Sequence, residues 1–110
     1  MRRGEIRWYT FEAPDKRRPV LILTRNSAIR FLNALTVAPI TTTIRDIPSE
    51  VFLTPDDGLL SDCVANMDNI QTVPKHRLGS MISCLSSERM EEANRAIAFA
   101  LGLDSPPYGL

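Results

Sequence analysis

Two short stretches hold side chains suited to gripping a phosphate diester. The first is Lys16-Arg17-Arg18-Pro19, which leads directly into the apolar run Val20-Leu21-Ile22-Leu23. An arginine at the mouth of a strand presents a charged fork that matches two phosphate oxygens at once. The second is Ala38-Pro39-Ile40-Thr41-Thr42-Thr43-Ile44-Arg45. Threonine is a good strand former, and at a strand's end its hydroxyl can also donate to a phosphoryl oxygen, with Arg45 close behind. On composition alone, a solvated turn accounts for the first stretch and a plain strand for the second.

Other chemistry finds less support. The chain has no Gly-rich phosphate loop, no H-E-x-x-H and no G-x-S-x-G. Asp56, Asp57, Asp62 and Asp68 would be needed for a magnesium site, but Pro55-Asp56-Asp57-Gly58 reads as a β-turn. His76 is the only histidine and sits in the polar stretch Lys75-His76-Arg77, as a solvated loop residue would. Cys63 and Cys84 with one histidine cannot complete a tetrahedral zinc site. They read as two reduced thiols packed as small apolar side chains. No metal or cofactor is expected.

The positioning elements follow from composition and periodicity. With 110 residues, 44% apolar and 24% charged, the chain reads as one ordinary globular domain. Residues 1–103 form the expected domain, and 104–110 a flexible tail. The longest apolar run is far short of the ~20 residues of a membrane span. No apolar segment follows Met1-Arg2-Arg3-Gly4-Glu5, so no secretory signal is visible and a cytoplasmic protein is expected. The formal charge of zero hides an asymmetry: nine bases oppose three acids up to Arg45, and four bases oppose ten acids from Asp46 onward. A bipolar surface with one face for a polyanion is the expectation.

Helical periodicity occurs once, from Ser86 to Leu101. Met90, Ala93, Ile97, Ala100 and Leu101 form its apolar stripe. Ser86 is a fitting N-cap, Leu85 can staple onto Met90, Glu91 and Arg95 form an i,i+4 pair, and Gly102 supplies the stop. Before it, short strands are predicted at Glu5–Tyr9, Pro19–Thr24, Ala34–Thr43, Val51–Leu53, Cys63–Met67, Ile70–Val73 and Met81–Leu85. Turn signals separate them at Ala13-Pro14-Asp15, Ile47-Pro48, Pro55–Gly58 and Val73-Pro74, and a short helical turn fits within 26–33. The fold class is mainly β with a C-terminal helix, a small and strongly curved sheet or half-barrel.

The order and spacing of several motifs resemble the MazF/PemK family of toxin endoribonucleases from bacterial toxin–antitoxin pairs. The resemblance spans residues 2–103. It rests on Arg3-Gly4-Glu5-Ile6-x-Trp8, Arg18-Pro19-Val20-Leu21-x-Leu23-Thr24-Arg25 and Val37-Ala38-Pro39-Ile40-Thr41. It continues through Asp62-Cys63-Val64, Asp68-Asn69-Ile70-x-Thr72-Val73-x-Lys75-x-Arg77-Leu78 and Leu101-Gly102-Leu103.

The resemblance implies an SH3-like small barrel of the MazF/PemK/CcdB type, working as a homodimer and neutralised by a cognate MazE-like antitoxin. It implies metal-independent cleavage of single-stranded RNA at a short sequence, leaving a 2′,3′-cyclic phosphate and a 5′-hydroxyl. The family's catalytic arginine and threonine match Arg18 and Thr41, and its occasional acidic residue falls on Asp68. Lys16, Arg17, Thr42, Arg45, Asn69 and Gln71 are the implied RNA contacts. Arg18 stays protonated and is a poor general base, so it reads as an electrostatic clamp. Asn66 stands where PemK-type members carry an arginine, and the loop from Thr10 to Arg17 is short. A CcdB-like gyrase poison, sharing the barrel and acting through its C-terminal helix, is the competing reading.

Overall fold

The computed structural model describes residues 1–12 and 16–104, with Lys16 defined for its backbone only. The expected turn at Ala13-Pro14-Asp15 and most of the expected tail lie outside the described residues. Seven strands form one sheet: β1 (Glu5–Phe11), β2 (Lys16–Ile22), β3 (Ala34–Thr41), β4 (Glu50–Leu53), β5 (Cys63–Asn66), β6 (Gln71–Pro74) and β7 (Leu78–Cys84). Helix α1 (Asn26–Ile29) follows β2, and α2 (Ser87–Ala100) closes the described chain. All strand pairs are antiparallel, in the order β4-β5-β3-β2-β1-β7 with β6 on β3.

The branching of β3 bends this sheet into a barrel-like form. Its first half pairs with β6, from Ala34↔Pro74 to Val37↔Gln71, and its end pairs with β5, at Ile40↔Ala65 and Thr41↔Val64. Between β5 and β6, a 3₁₀ turn at Met67–Asn69 bridges the fork. Alternation then sends side chains to two apolar clusters. Ile6, Leu21, Ala38 and Ile40 point to the larger cluster, with Leu53, Met67 and the buried face of α2. Tyr9, Val20, Ile22, Leu35 and Val37 point to the other, with Ile29 and Val73. The run Val20-Leu21-Ile22-Leu23 is continuously apolar because β2 is covered on both faces.

Several boundaries move. Lys16-Arg17-Arg18 lies inside β2 rather than in a turn before it, because β1 runs on to Phe11 and pairs residue by residue back to Lys16. Within the segment from Thr10 to Arg17, Thr10 pairs with Arg17 and Phe11 with Lys16. β3 stops at Thr41, and β7 starts earlier, at Leu78. Pro55–Asp57 is a 3₁₀ turn rather than a simple β-turn: Thr54 and Asp57 form a reciprocal capping box around it.

Helix α2 has its expected N-cap, Ser86 Oγ accepting the Arg89 N–H at 3.2 Å, and Gly102 follows it at φ 71°. Its buried face is Met90, Ala93 and Ala96, while Leu101, expected in the apolar stripe, is 55% exposed. The stripe ends early because α2 itself ends at Ala100, so Leu101 turns away from the core. Among the described residues the ion pair along α2 is Arg89–Glu92, not Glu91–Arg95. Arg89 turns inward because it has a second partner across the fold. Its Nε and Nη2 each donate to Asp57 at 3.1 Å, and Nη2 also reaches the Phe52 carbonyl. Burial works against the Arg89 charge, but the hydrogen bonds and charge of Asp57, aided by Glu92, outweigh it and hold its pKa above the usual value.

One guanidinium thus ties α2 to the 55–57 turn and to β4. Arg89→Met keeps the apolar stem and removes the fork, so unfolding free energy should fall by about 1.5–3 kcal/mol. A urea melt matching the parent's would refute this locking role. No described helix is long and apolar enough to cross a membrane.

Candidate active site

The fork in β3 builds the site. Since Val20 and Ile22 face the smaller cluster, alternation along β2 puts Arg18 on that same side, and the register sets it across from Tyr9. There Arg18 lines an open hollow of about 710 Å³ with Phe11, Glu12, Pro39, Asp68, Asn69 and Gln71. Asp68 and Asn69 belong to the 3₁₀ turn that bridges β5 and β6 and Gln71 opens β6, and the fork carries that turn to the mouth of β2. Arg18 is half-buried and has no hydrogen bond or ion pair among the described residues. Among the described residues no structural partner ties up its donors, which leaves them available to a group bound in the hollow.

Asp68 is held from two sides. Its N–H donates to Asn66 Oδ1 at 2.9 Å, and its Oδ2 accepts the Ser49 hydroxyl at 2.6 Å. Ser49, 1% exposed, also accepts the Met67 N–H at its carbonyl, 2.9 Å away. Sequence reasoning missed both supports. The Asn66-x-Asp68 spacing is a cap signature that pointed to one of them. Ser49 lies 19 residues from Asp68, and no local pattern announces it.

Thr41 sits at the rim rather than in the hollow. Continued by two residues, the Val20↔Pro39 register would set it across from Arg18. The pairing stops there because Pro19 and Pro39 carry no N–H and β3 turns to β5. Thr41 Oγ1 accepts the Thr43 N–H at 3.2 Å, which leaves its own O–H to donate outward. With exposed Thr42 it lines a second, largely apolar hollow of about 110 Å³ bordered by Trp8, Pro19, Ile40, Leu59 and Cys63.

The remaining expected contacts divide. Asn69 and Gln71 are exposed beside Arg18. Arg17 lies on the opposite face of β2, its guanidinium 4.3 Å from the Trp8 ring centroid, and so does not join Arg18. Arg45 is exposed on the loop after β3, where Glu50 Oε1 accepts the N–H groups of Arg45 and Asp46 at 3.0 Å each. The Lys16 side chain lies outside the described residues.

His76 is exposed, and Asp57 is taken by Arg89. Among the described residues no three His, Cys, Asp or Glu side chains converge as metal ligands. Cys63 is buried and Cys84 exposed, both as free thiols. Burial, with the nearby charges of Asp57 and Asp62, pushes the Cys63 thiol up. Iodoacetamide at neutral pH should therefore label Cys84 in the native protein and spare Cys63 until denaturation. Equal labelling of both thiols, read by mass spectrometry, would contradict that burial.

The fold and site define a small antiparallel barrel with a C-terminal helix, presenting an arginine, a carboxylate and amide side chains in one open hollow. The chain belongs to the family of PemK-like, MazF-like toxins of type II toxin–antitoxin systems, which it matches over residues 2–101. It is 39% identical over 103 residues to the probable endoribonuclease MazF2 of Mycobacterium tuberculosis, covering 93% of this chain and 99% of that one. It is 43% identical over 90 residues to endoribonuclease MazF3 of the same species, covering 82% and 87%. Among solved structures, the Mycobacterium tuberculosis toxin MazF-mt6 superposes with a TM-score of 0.84 at 39% identity, covering 92% of this chain and 99% of that one. An endoribonuclease in complex with its cognate antitoxin, from Mycobacterial species, gives 0.85 at 33% identity, covering 96% and 99%.

Proposed function

We propose that this chain is a toxin endoribonuclease that cuts single-stranded RNA at a short sequence, works as a homodimer in the cytoplasm and is held inactive by a cognate antitoxin. The observation that carries this reading is the near end-to-end match to relatives named as endoribonucleases. A gyrase poison acting through the C-terminal helix is disfavoured by the same match.

In the proposed reaction the RNA 2′-oxygen attacks the adjacent phosphorus and the P–O5′ bond breaks. The products are a 2′,3′-cyclic phosphate and a 5′-hydroxyl. Arg18 clamps the non-bridging oxygens as charge builds on them, and Thr41 adds a hydroxyl donor. Asp68 accepts the 2′-proton through Oδ1, the oxygen that Ser49 does not occupy. The leaving O5′ takes its proton from water while the Arg18 guanidinium donates a hydrogen bond to it, and Asp68 returns its proton to solvent. Asn69, Gln71 and Arg45 hold the flanking nucleotides, together with Lys16, Arg17 and Thr42. Every step uses the chain's own side chains, so no metal is required.

The purified protein should cut total RNA in excess chelator and leave ends that polynucleotide kinase can label without prior phosphatase treatment. Sequencing those ends gives the recognised sequence. Activity abolished by chelator would overturn the metal-free route, and stabilised cleaved DNA with intact RNA would restore the gyrase reading.

A further inference from the structure

The cations of the basic half do not all gather at Arg18. Arg7 is paired with Glu5, and Arg3 bonds the Leu23 carbonyl and the Asn94 side chain. A separate group lies around α1, where Arg2, Asn26, Ile29, Arg30 and Lys75 help line a hollow of about 620 Å³ with no acidic side chain in its wall. Lys75 Nζ donates to the Ile29 carbonyl at 2.8 Å, which fixes its charge at the end of α1. Beside it Phe31 is 74% exposed, and the Arg30 guanidinium sits 5.2 Å from its ring centroid. Neither apolar cluster includes Phe31. The ring is of no use to the barrel's own packing.

A group of cations with no ion-pair partner among the described residues, beside an exposed aromatic ring, matches the chemistry of a single-stranded nucleic acid. The phosphates meet the cations, and a base stacks on the ring. A second copy of this chain would meet the face through a twofold axis and set Arg2, Arg30 and Lys75 against themselves. The patch and the proposed active site lie at the two ends of one strand, β6. Gln71 at one end of β6 lines the Arg18 hollow, and Lys75 just past the other end lines this one. At ~3.3 Å per residue the two lie on the order of 13 Å apart along the strand. Between them Thr72 is exposed, Pro74 half-buried and Val73 buried.

We infer that the α1 hollow and Phe31 bind the single-stranded flank of an RNA whose scissile phosphate lies at Arg18. This rests on the endoribonuclease reading and extends it from a short recognised sequence to a longer footprint.

The test compares two RNAs: one just spanning the mapped cleavage sequence, and the same sequence with uridine extensions on both sides. Phe31→Ala and Arg30→Glu should each lower kcat/KM on the extended RNA about tenfold while leaving the short RNA unchanged. Arg30→Glu should also flatten the salt dependence. Equal rates for parent and variants on the extended RNA would overturn the inference. So would an equal loss on both RNAs accompanied by a lower sedimentation mass, since a second copy then covers this face. Binding of a labelled uridine oligomer by fluorescence anisotropy separates the two readings. If the parent cuts no RNA but binds the oligomer through Phe31, the endoribonuclease reading fails and the surface stands. If it binds no oligomer, the surface fails.

Discussion

Arg18→Ala should lower RNA cleavage by about two to three orders of magnitude, the range for losing a charged or hydrogen-bonding donor aimed at a developing oxyanion. The reasoning begins with the fold. Arg18 holds its place in β2 through backbone pairing with Tyr9, and its half-buried side chain has no structural partner among the described residues. Truncation therefore removes a reagent without removing a support, and the melting temperature should stay within about 2 °C of the parent's.

Arg18→Lys is the sharper variant. It restores the charge but not the planar two-donor fork, so it should recover only part of the loss. If the fork matters only for holding substrate, the deficit will appear in KM. If it meets the charge that builds during attack, it will appear in kcat. Thr41→Val, which keeps the strand-forming shape and loses the hydroxyl, should give a smaller loss of the same kind. An Arg18→Ala protein that cuts RNA at the parental rate would sink the site assignment.

The sequence made some of this site legible and hid the rest for physical reasons. Helix α2 was readable because its apolar positions recur at the helical period beside a capping serine, both local signals. Arg18, Thr41 and Asp68 were reached through a resemblance, and their residue types fit the chemistry. Their mutual arrangement was not readable, because it depends on β3 changing partners halfway along its length. That fork brings the Met67–Asn69 turn to the mouth of β2, and with no N–H groups at Pro19 and Pro39 the pairing of β2 with β3 ends before it reaches Arg18 and Thr41.

The charge asymmetry along the chain was real but incomplete as a guide. Arg3 and Arg7 serve the fold, Arg17 turns onto Trp8, and the open cations collect at α1 with Lys75 from the acidic half. Ser49 and Arg89 act across 19 and 32 residues respectively, a range at which no sequence pattern speaks.

A large loss of stability is expected outside both apolar clusters, at Gly58. Its φ of 94° lies where a side chain is strained, and a Cβ there would stand 2.5 Å from Ser83 Cβ and 2.8 Å from Ser83 Oγ. Backbone strain of about 1–2 kcal/mol adds to about 1–3 kcal/mol for forcing atoms into filled space. The neighbours cannot simply give way. Ser83 Oγ donates to the Asp57 carbonyl at 2.6 Å, and Asp57 in turn holds Arg89. Moving Ser83 would loosen the turn that joins β4, β7 and α2.

Gly58→Ala should therefore lower the melting temperature by roughly 10–30 °C, at about 4–8 °C per kcal/mol for a domain of this size. Gly102→Ala is the matched control. Its φ is 71°, but nothing lies within 4 Å of the added Cβ, so only backbone strain remains and the loss should be much smaller. Adding Ser83→Gly to Gly58→Ala removes the atoms in the way and should return part of the lost stability despite deleting the Ser83–Asp57 bond. If Gly58→Ala and Gly102→Ala melt together, contact with Ser83 is not what requires glycine at position 58.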